Sequence, residues 1–366
     1  MQLRTRTLSL ALAEEFGIAR GSRTTQAVVQ VELEHDGLIG RGEAAPVYYR
    51  GESVETATEF LGAAGGRLGD DPFAVEATLA QFDGQDAAGR AALDAALHDW
   101  VGRRLGVPVW RLLGLSRSAP PTSYTIGIDT LDGTRERARR ARGFRALKVK
   151  VGGAADLARL EAVREESDAP LRVDANEGWT LEQARELMPA LVELGVELVE
   201  QPFPADDIDS FRALRELRSR PPIVVDEGCH DLTDVAPCAE YADAINVKLA
   251  KCGGLREAVR MVHAARAVGL GAMLGCMIES ELGIAPAAHI ASLFDMVDLD
   301  GHLLLADRPF TGLELIDGRV LPSTAAGLGI EPAGRGSEPA APGGEPAGPG
   351  SEPAGPGTGP PRSQPA

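Results

Sequence analysis

From residue 122 onward the chain falls into a repeating rhythm of short apolar β runs and amphipathic helical stretches. The runs are TSYTIGI (122–128), ALKVKV (146–151), LRVDA (171–175), ELVEQ (197–201), PIVVDE (222–227), AINVKLA (244–250), GAMLGCM (271–277) and MVDLD (296–300). Between them lie stretches such as LEQARELMPALVELG and LREAVRMVHAARAVG. Repeated βα units at this spacing specify a parallel sheet, and eight of them suggest closure into a barrel. An open doubly wound sheet is the other architecture; its usual glycine-rich first turn is missing.

The first third reads as α+β. Residues 2–13 and 24–35 alternate like antiparallel strands, with a turn at His35-Asp36-Gly37 into a third at 38–43, and helical patterns follow at 53–67, 72–82 and 86–104. In the last of these Ala92, Ala95, Ala96 and Trp100 share one face. Residues 331–366 are almost all Pro, Gly, Ala, Ser and Glu and offer nothing to bury, so a disordered tail is expected there.

The balance of 37 basic against 54 acidic residues, a net charge of −17, argues against nucleic acid or an anionic membrane as partner. No apolar run has transmembrane length, and the N-terminus lacks a signal-peptide core. Cys229, Cys238, Cys252 and Cys276 show no CxxC spacing and read as free thiols of a cytoplasmic protein.

Barrel strands ordinarily end in turn residues; these end in charge. Asp174 closes RVDAN, Glu200 closes LVEQP and Asp226 closes VVDEG, each 26 residues from the next. That spacing sets three carboxylates on one rim, the C-terminal face where barrel active sites lie. Converging carboxylates repel unless a cation neutralises them, and all-oxygen ligands favour Mg2+. Taken singly, each acid also reads as a helix cap or solvated loop charge. Lys148 and Lys150 are two apart and share a strand face, and Lys248 lies within another apolar run. Crowded ammonium groups lower a lysine pKa toward that of a base; a rim-paired lysine or an aldolase Schiff base are the rival readings. Asp298 and Asp300, again two apart, suit an ammonium receptor, although DLDG is also a turn.

The set KVK, VDAN, VEQP, VVDEG and NVKLAKCGG resembles the enolase superfamily, specifically its muconate-lactonizing-enzyme subgroup, over roughly residues 1–330. Strand seven, GAMLGCM, has no histidine, unlike the mandelate-racemase subgroup. The resemblance implies a modified (β/α)7β TIM-type barrel, catalytic, at 121–301, with an N-terminal α+β capping domain at 1–120 to which 302–330 returns. It implies Mg2+ on Asp174, Glu200 and Asp226. Lys150 and Lys248 would be acid/base groups on opposite faces of the substrate carbon, Lys148 would tune Lys150, and Glu227 and Lys251 would support the site.

Two features resemble dipeptide epimerases: the DLD at 298–300, which in that family holds a free amino group, and the segments FGIARGSR (16–23) and GEAAPVYYRGES (42–53), which look like capping loops. The second departs from the family's usual tyrosine and arginine order at Val47–Arg50. Arg20 or Arg23 would meet a distal carboxylate, with Thr125, Cys276 and Ile278 as pocket wall or plain core. The implied activity is an isomerase inverting the C-terminal residue of a dipeptide such as L-Ala-L-Glu by two-base proton transfer. An o-succinylbenzoate synthase or N-acylamino acid racemase, or a silent metabolite-binding barrel, are the alternatives. A small-molecule dipeptide is the expected partner, and a homo-oligomer is left open.

Overall fold

The computed structural model describes residues 1–334. Gln2–Ile18 (β1), Gly21–His35 (β2) and Leu38–Ala44 (β3) form the antiparallel sheet that the alternation implies. Val54–Gly65 (α1), Val75–Ala80 (α2) and Ala87–Leu105 (α3) pack on it. Helix α3 is not one-faced as expected: it is buried nearly all round. Ala92, Ala96 and Trp100 face the cap core, whereas Ala91 and Ala95 join the barrel core. An alanine-rich helix suits that position between two layers, because small side chains allow close approach on every side.

The eight runs form one parallel sheet: Tyr124–Ile126 (β4), Leu147–Lys150 (β5), Leu171–Asp174 (β6), Val196–Glu200 (β7), Ile223–Val225 (β8), Ala244–Val247 (β9), Gly271–Leu274 (β10) and Met296–Val297 (β11). A bridge between Thr122 and Val297 joins first to last. Each of the first seven is followed by a helix, the last of these at Glu281–Ile290, giving the (β/α)7β order. The strands are shorter than the apolar runs. Lys248, Asp298 and Asp300 therefore lie past strand ends rather than within strands. Alternation builds the interior in layers. Leu198, Val224, Ala244 and Met273 make an apolar floor, and Glu200, Asp226 and Asn246, two residues further along three of the same chains, stand above it.

Cap and barrel share a joint. Arg50 Nη1 donates to Lys251 O at 2.9 Å, Arg90 Nη2 to Cys252 O at 3.0 Å, and Asp94 Oδ2 accepts from Arg256 N at 2.9 Å. The two glycines of NVKLAKCGG are required here. Gly253 and Gly254 have φ of +91° and +118°, and a Cβ on either would lie 2.3 Å from Arg90 or 2.2 Å from Asp94.

After β11 the chain returns to the cap: Ala306 N donates to Ala11 O, and Leu328 N donates to Asp99 Oδ1 at 2.7 Å. The tail expected from 331 does not begin there. Glu331–Pro332 pairs with Phe310–Thr311, and Glu331 meets Arg103 at 2.9 Å and Arg41 at 3.4 Å. Backbone pairing and ion pairs need no apolar side chain, so composition gave no sign of them. Residues 335–366 of that expected tail lie outside the described residues.

Candidate active site

Register brings the charged strand ends together. Lys150 lies opposite Asp174, and Asp174 opposite Glu200, across adjacent ladders. Lys150 Nζ is 2.6 Å from Asp174 Oδ2, and Lys248 Nζ is 2.6 Å from Asp226 Oδ2. Lys148 Nζ stands at the centre, 3.0 Å from Asp174, 2.7 Å from Glu200 and 2.8 Å from Asp298. Lys251 is wholly buried, donating to Asp226 Oδ1 and O and to the carbonyls of Cys229 and Asn246. Glu227 is buried beside Asn176, 3.2 Å away, and Arg20.

Burial and charge divide these acids into two kinds. Burial works to raise the Asp174 pKa, but Lys150 and Lys148 outweigh it and hold the carboxyl below its usual range. Lys248 and Lys251 do the same for Asp226. At Glu200 burial, reinforced by the Asp174 charge, wins and pushes the pKa up to about 7. Asp300 also rises to about 7, from burial and then the Asp298 charge, whereas Lys148 keeps Asp298 low against burial. The expected lowering of a lysine pKa by crowding is not seen at Lys148. Burial opposes its charge, but Asp298, Glu200 and Asp174 raise its pKa, and Asp226 and Glu200 raise that of Lys248. The sequence pairs lysine with lysine; the fold puts a carboxylate between them.

Among the described residues no three His, Cys, Asp or Glu side chains are grouped to hold an ion as they stand, because the Lys148 ammonium occupies the middle of the cluster. In kind, the residues fit a hard divalent cation. Three buried carboxylates sit on successive strand ends, and Glu200 Oε2, although 2.7 Å from Lys148, makes no hydrogen bond with proper geometry.

Above the cluster opens a cavity of about 460 Å³, within the range of small-molecule sites. Lys148, Lys150, Lys248, Asp226, Asp298 and Asp300 reach it, as do Thr125, Cys276 and Ile278; Asp174 and Glu200 lie beneath. Asp300 Oδ2 accepts from Thr125 N at 2.6 Å, and Asp298 Oδ1 from Ser123 Oγ at 2.5 Å. The cap supplies the roof. Arg20 is held by Glu227 at 2.6 Å and Glu177 at 2.9 Å and lies over the Tyr49 ring. Arg23 has no carboxylate partner among the described residues; it donates to Gln26 Oε1 and lies over Tyr48. Phe16, Ile18, Gln26, Tyr48, Tyr49, Asn176, Met277 and Leu304 are also among the lining. Phe16, Tyr48 and Tyr49, like Arg20 and Arg23, sit in the segments whose resemblance to capping loops was the available signal; Gln26, Met277 and Leu304 lie outside them. Glu279 carried no signal in the sequence, and Glu43 none beyond the capping-loop segment it lies in. Glu43 accepts from Ser280 N at 2.8 Å, and burial pushes Glu43 up to about 7 and Glu279 to about 8.

A parallel barrel with carboxylates on three successive strand ends, lysines facing them and an antiparallel cap above has the layout of a barrel enzyme, with its site at the C-terminal face. The chain belongs to the mandelate racemase / muconate lactonizing enzyme family: that family's N-terminal domain profile matches residues 3–114, and the enolase C-terminal domain-like profile matches residues 133–335. Among curated relatives, it is 39% identical to the L-Ala-D/L-Glu epimerase of Bacteroides thetaiotaomicron, spanning 88% of this chain and 85% of that one. It is 40% identical to the hydrophobic dipeptide epimerase of Roseobacter litoralis, spanning 90% and 98%. Among solved structures, the dipeptide epimerase of Enterococcus faecalis complexed with Mg and L-Leu-L-Tyr superposes with a TM-score of 0.84 at 33% identity, covering 90% of this chain and 98% of that one. Among the described residues no helix is long and apolar enough to cross a membrane, and all four cysteines are free.

Proposed function

We propose that this protein is a Mg2+-dependent dipeptide epimerase that inverts the α-carbon of the C-terminal residue. The observation that carries the reading is the placement of Lys150 and Lys248 about one cavity. The first lies on the second barrel strand and the second past the sixth, so half the ring separates them. A carbon held between them is reached from both faces.

Asp174, Glu200 and Asp226 would hold the ion, which supplies positive charge against the negative charge developing on the substrate carboxylate. Lys148, fixed as a cation by its three acids, donates hydrogen bonds to the same carboxylate. One lysine takes the α-proton and the other delivers one to the opposite face. Lys248 is held at the cavity by its ion pair with Asp226, and Lys150 by its pair with Asp174. Asp300 is buried without an ion-pair partner among the described residues and receives the substrate ammonium, with Asp298 shared between that group and Lys148. Arg23, the lining cation without a carboxylate partner, favours an acidic side chain on the inverted residue, L-Ala-L-Glu first. The apolar lining by Phe16, Ile18, Met277 and Leu304 favours a second reading, a hydrophobic side chain there.

Incubating the protein with Mg2+ and a dipeptide library in deuterated water tests this. Gain of one mass unit at the C-terminal residue, with inversion, is expected. Exchange on N-acyl amino acids in preference to free dipeptides would replace the reading by the racemase alternative. No exchange on any substrate would leave a silent binding barrel.

A further inference from the structure

One residue beside the carboxylates has no part in the chemistry above. Gln201 follows Glu200 directly, is wholly buried, and has φ of +37°. A glutamine is held in the left-handed region only where its surroundings over-determine it. Its side-chain Oε1 accepts from Asp226 N at 2.9 Å and Gly228 N at 3.3 Å, and its Nε2 donates to Phe203 O at 2.8 Å. Its backbone N donates to Val224 O at 2.9 Å, and its backbone O accepts from Glu177 N at 2.9 Å. These bonds reach the loops after β6, β7 and β8, the three that follow or carry Asp174, Glu200 and Asp226.

We infer that Gln201 is a positioning residue for the metal-binding carboxylates, tying the turn that carries Asp226 to the strand end that carries Glu200. The inference rests on the metal reading of the site proposed above. Asp226 lies one residue past Val225, the last residue of β8, so no ladder bond fixes its own amide; the Gln201 side chain does. The task needs an amide. A carboxylate would accept from Asp226 N but could not donate to Phe203 O, and an aliphatic side chain would do neither. Asparagine is one methylene too short to span the same three partners.

The test measures Mg2+ binding by calorimetry on the full chain without substrate, beside the melting temperature of the metal-free protein. Gln201→Asn keeps a residue that tolerates the left-handed backbone, and Gln201→Met keeps the length, so at least one variant retains the fold. Partners that orient ligands typically change metal affinity ten- to hundredfold. The Mg2+ dissociation constant of either variant should therefore rise about tenfold or more, with any loss of metal-free melting temperature no larger in the variant that binds more weakly. Variants that melt earlier yet bind Mg2+ as the wild type does would overturn the inference and make Gln201 a plain structural residue. A wild type that takes up no Mg2+ would overturn the site reading and this inference together.

Discussion

Replacing Lys148 by Met separates the electrostatic work of this lysine from its shape. The ammonium is wholly buried and stands within 3.0 Å of Asp174, Glu200 and Asp298. Met fills a similar volume and removes the charge, leaving Asp174 paired with Lys150 and giving Glu200 and Asp298 no ammonium in direct contact. Breaking a buried pair by removing one partner costs about 3–5 kcal/mol. The three contacts do not add, because Glu200, already at about 7, takes a proton instead of remaining charged. A net loss of about 3–5 kcal/mol in a domain of this size lowers the melting temperature by on the order of 10 °C. Differential scanning calorimetry of chelator-treated protein reads that shift directly. Mg2+ should then raise the melting temperature of Lys148→Met by more than it raises that of the wild type, since the ion supplies the missing charge, while epimerisation stays lost. A metal-free melting temperature within about 2 °C of wild type would refute the reasoning; so would a Mg2+ response no larger than the wild type's.

Three further outcomes follow from the same geometry. Asp300→Asn should lower kcat/KM for a free dipeptide by about 2–5 kcal/mol equivalent and spare proton exchange on an N-acyl amino acid; equal losses on both substrates would remove the ammonium role. Lys150→Ala and Lys248→Ala should each abolish net epimerisation and retain exchange of the α-proton of one stereoisomer, read by NMR in deuterated water; unimpaired epimerisation by either would defeat the two-base scheme. The third concerns pH. Glu43 and Glu279 have raised pKa values, about 7 and about 8 against an ordinary 4.5, so the folded state holds their protons more tightly than the unfolded one. Their contribution is present below about pH 4.5 and lost as pH rises through 7 to 8. Glu43→Gln should flatten part of that fall, on the order of 3 kcal/mol; an unchanged slope of melting temperature against pH would refute it.

How much of this was readable beforehand depended on whether a residue acts through its own strand or through a distant one. Period-2 alternation and a carboxylate at each strand end are local signals, and they placed Asp174, Glu200 and Asp226 on one rim. Lys148 and Lys150 were read as partners because they are neighbours in sequence. Their actual partners are Asp174, 24 residues on and brought opposite Lys150 by the register of the next strand, and Asp298, 150 residues on and brought near only by barrel closure. Asp298 and Asp300 were read as one face of a strand that ends at Val297, so their orientation comes from Ser123 and Thr125 rather than from the pleat. Choosing between Arg20 and Arg23 required knowing that Glu227 and Glu177 already hold Arg20. Gln201 gave no signal beyond its motif, because its importance lies in a backbone angle and in partners on another strand.

The joint between Arg50, Arg90, Asp94 and residues 251–256 limits how proteins of this plan can diversify. The segment after Lys248 relies on the cap for hydrogen-bond partners that the barrel does not provide. A cap transplanted from a relative would have to bring its own equivalents of these side chains or leave buried carbonyls unmet close to Lys248. The hairpin turn at Arg20 is tied to the barrel as well, through Asn176 O, Glu177 and Glu227, and the helical turn at Tyr48–Arg50 through Arg50. Exchanging a roof side chain such as Arg23 leaves this joint intact, whereas exchanging the whole cap breaks it at residues far from the cavity.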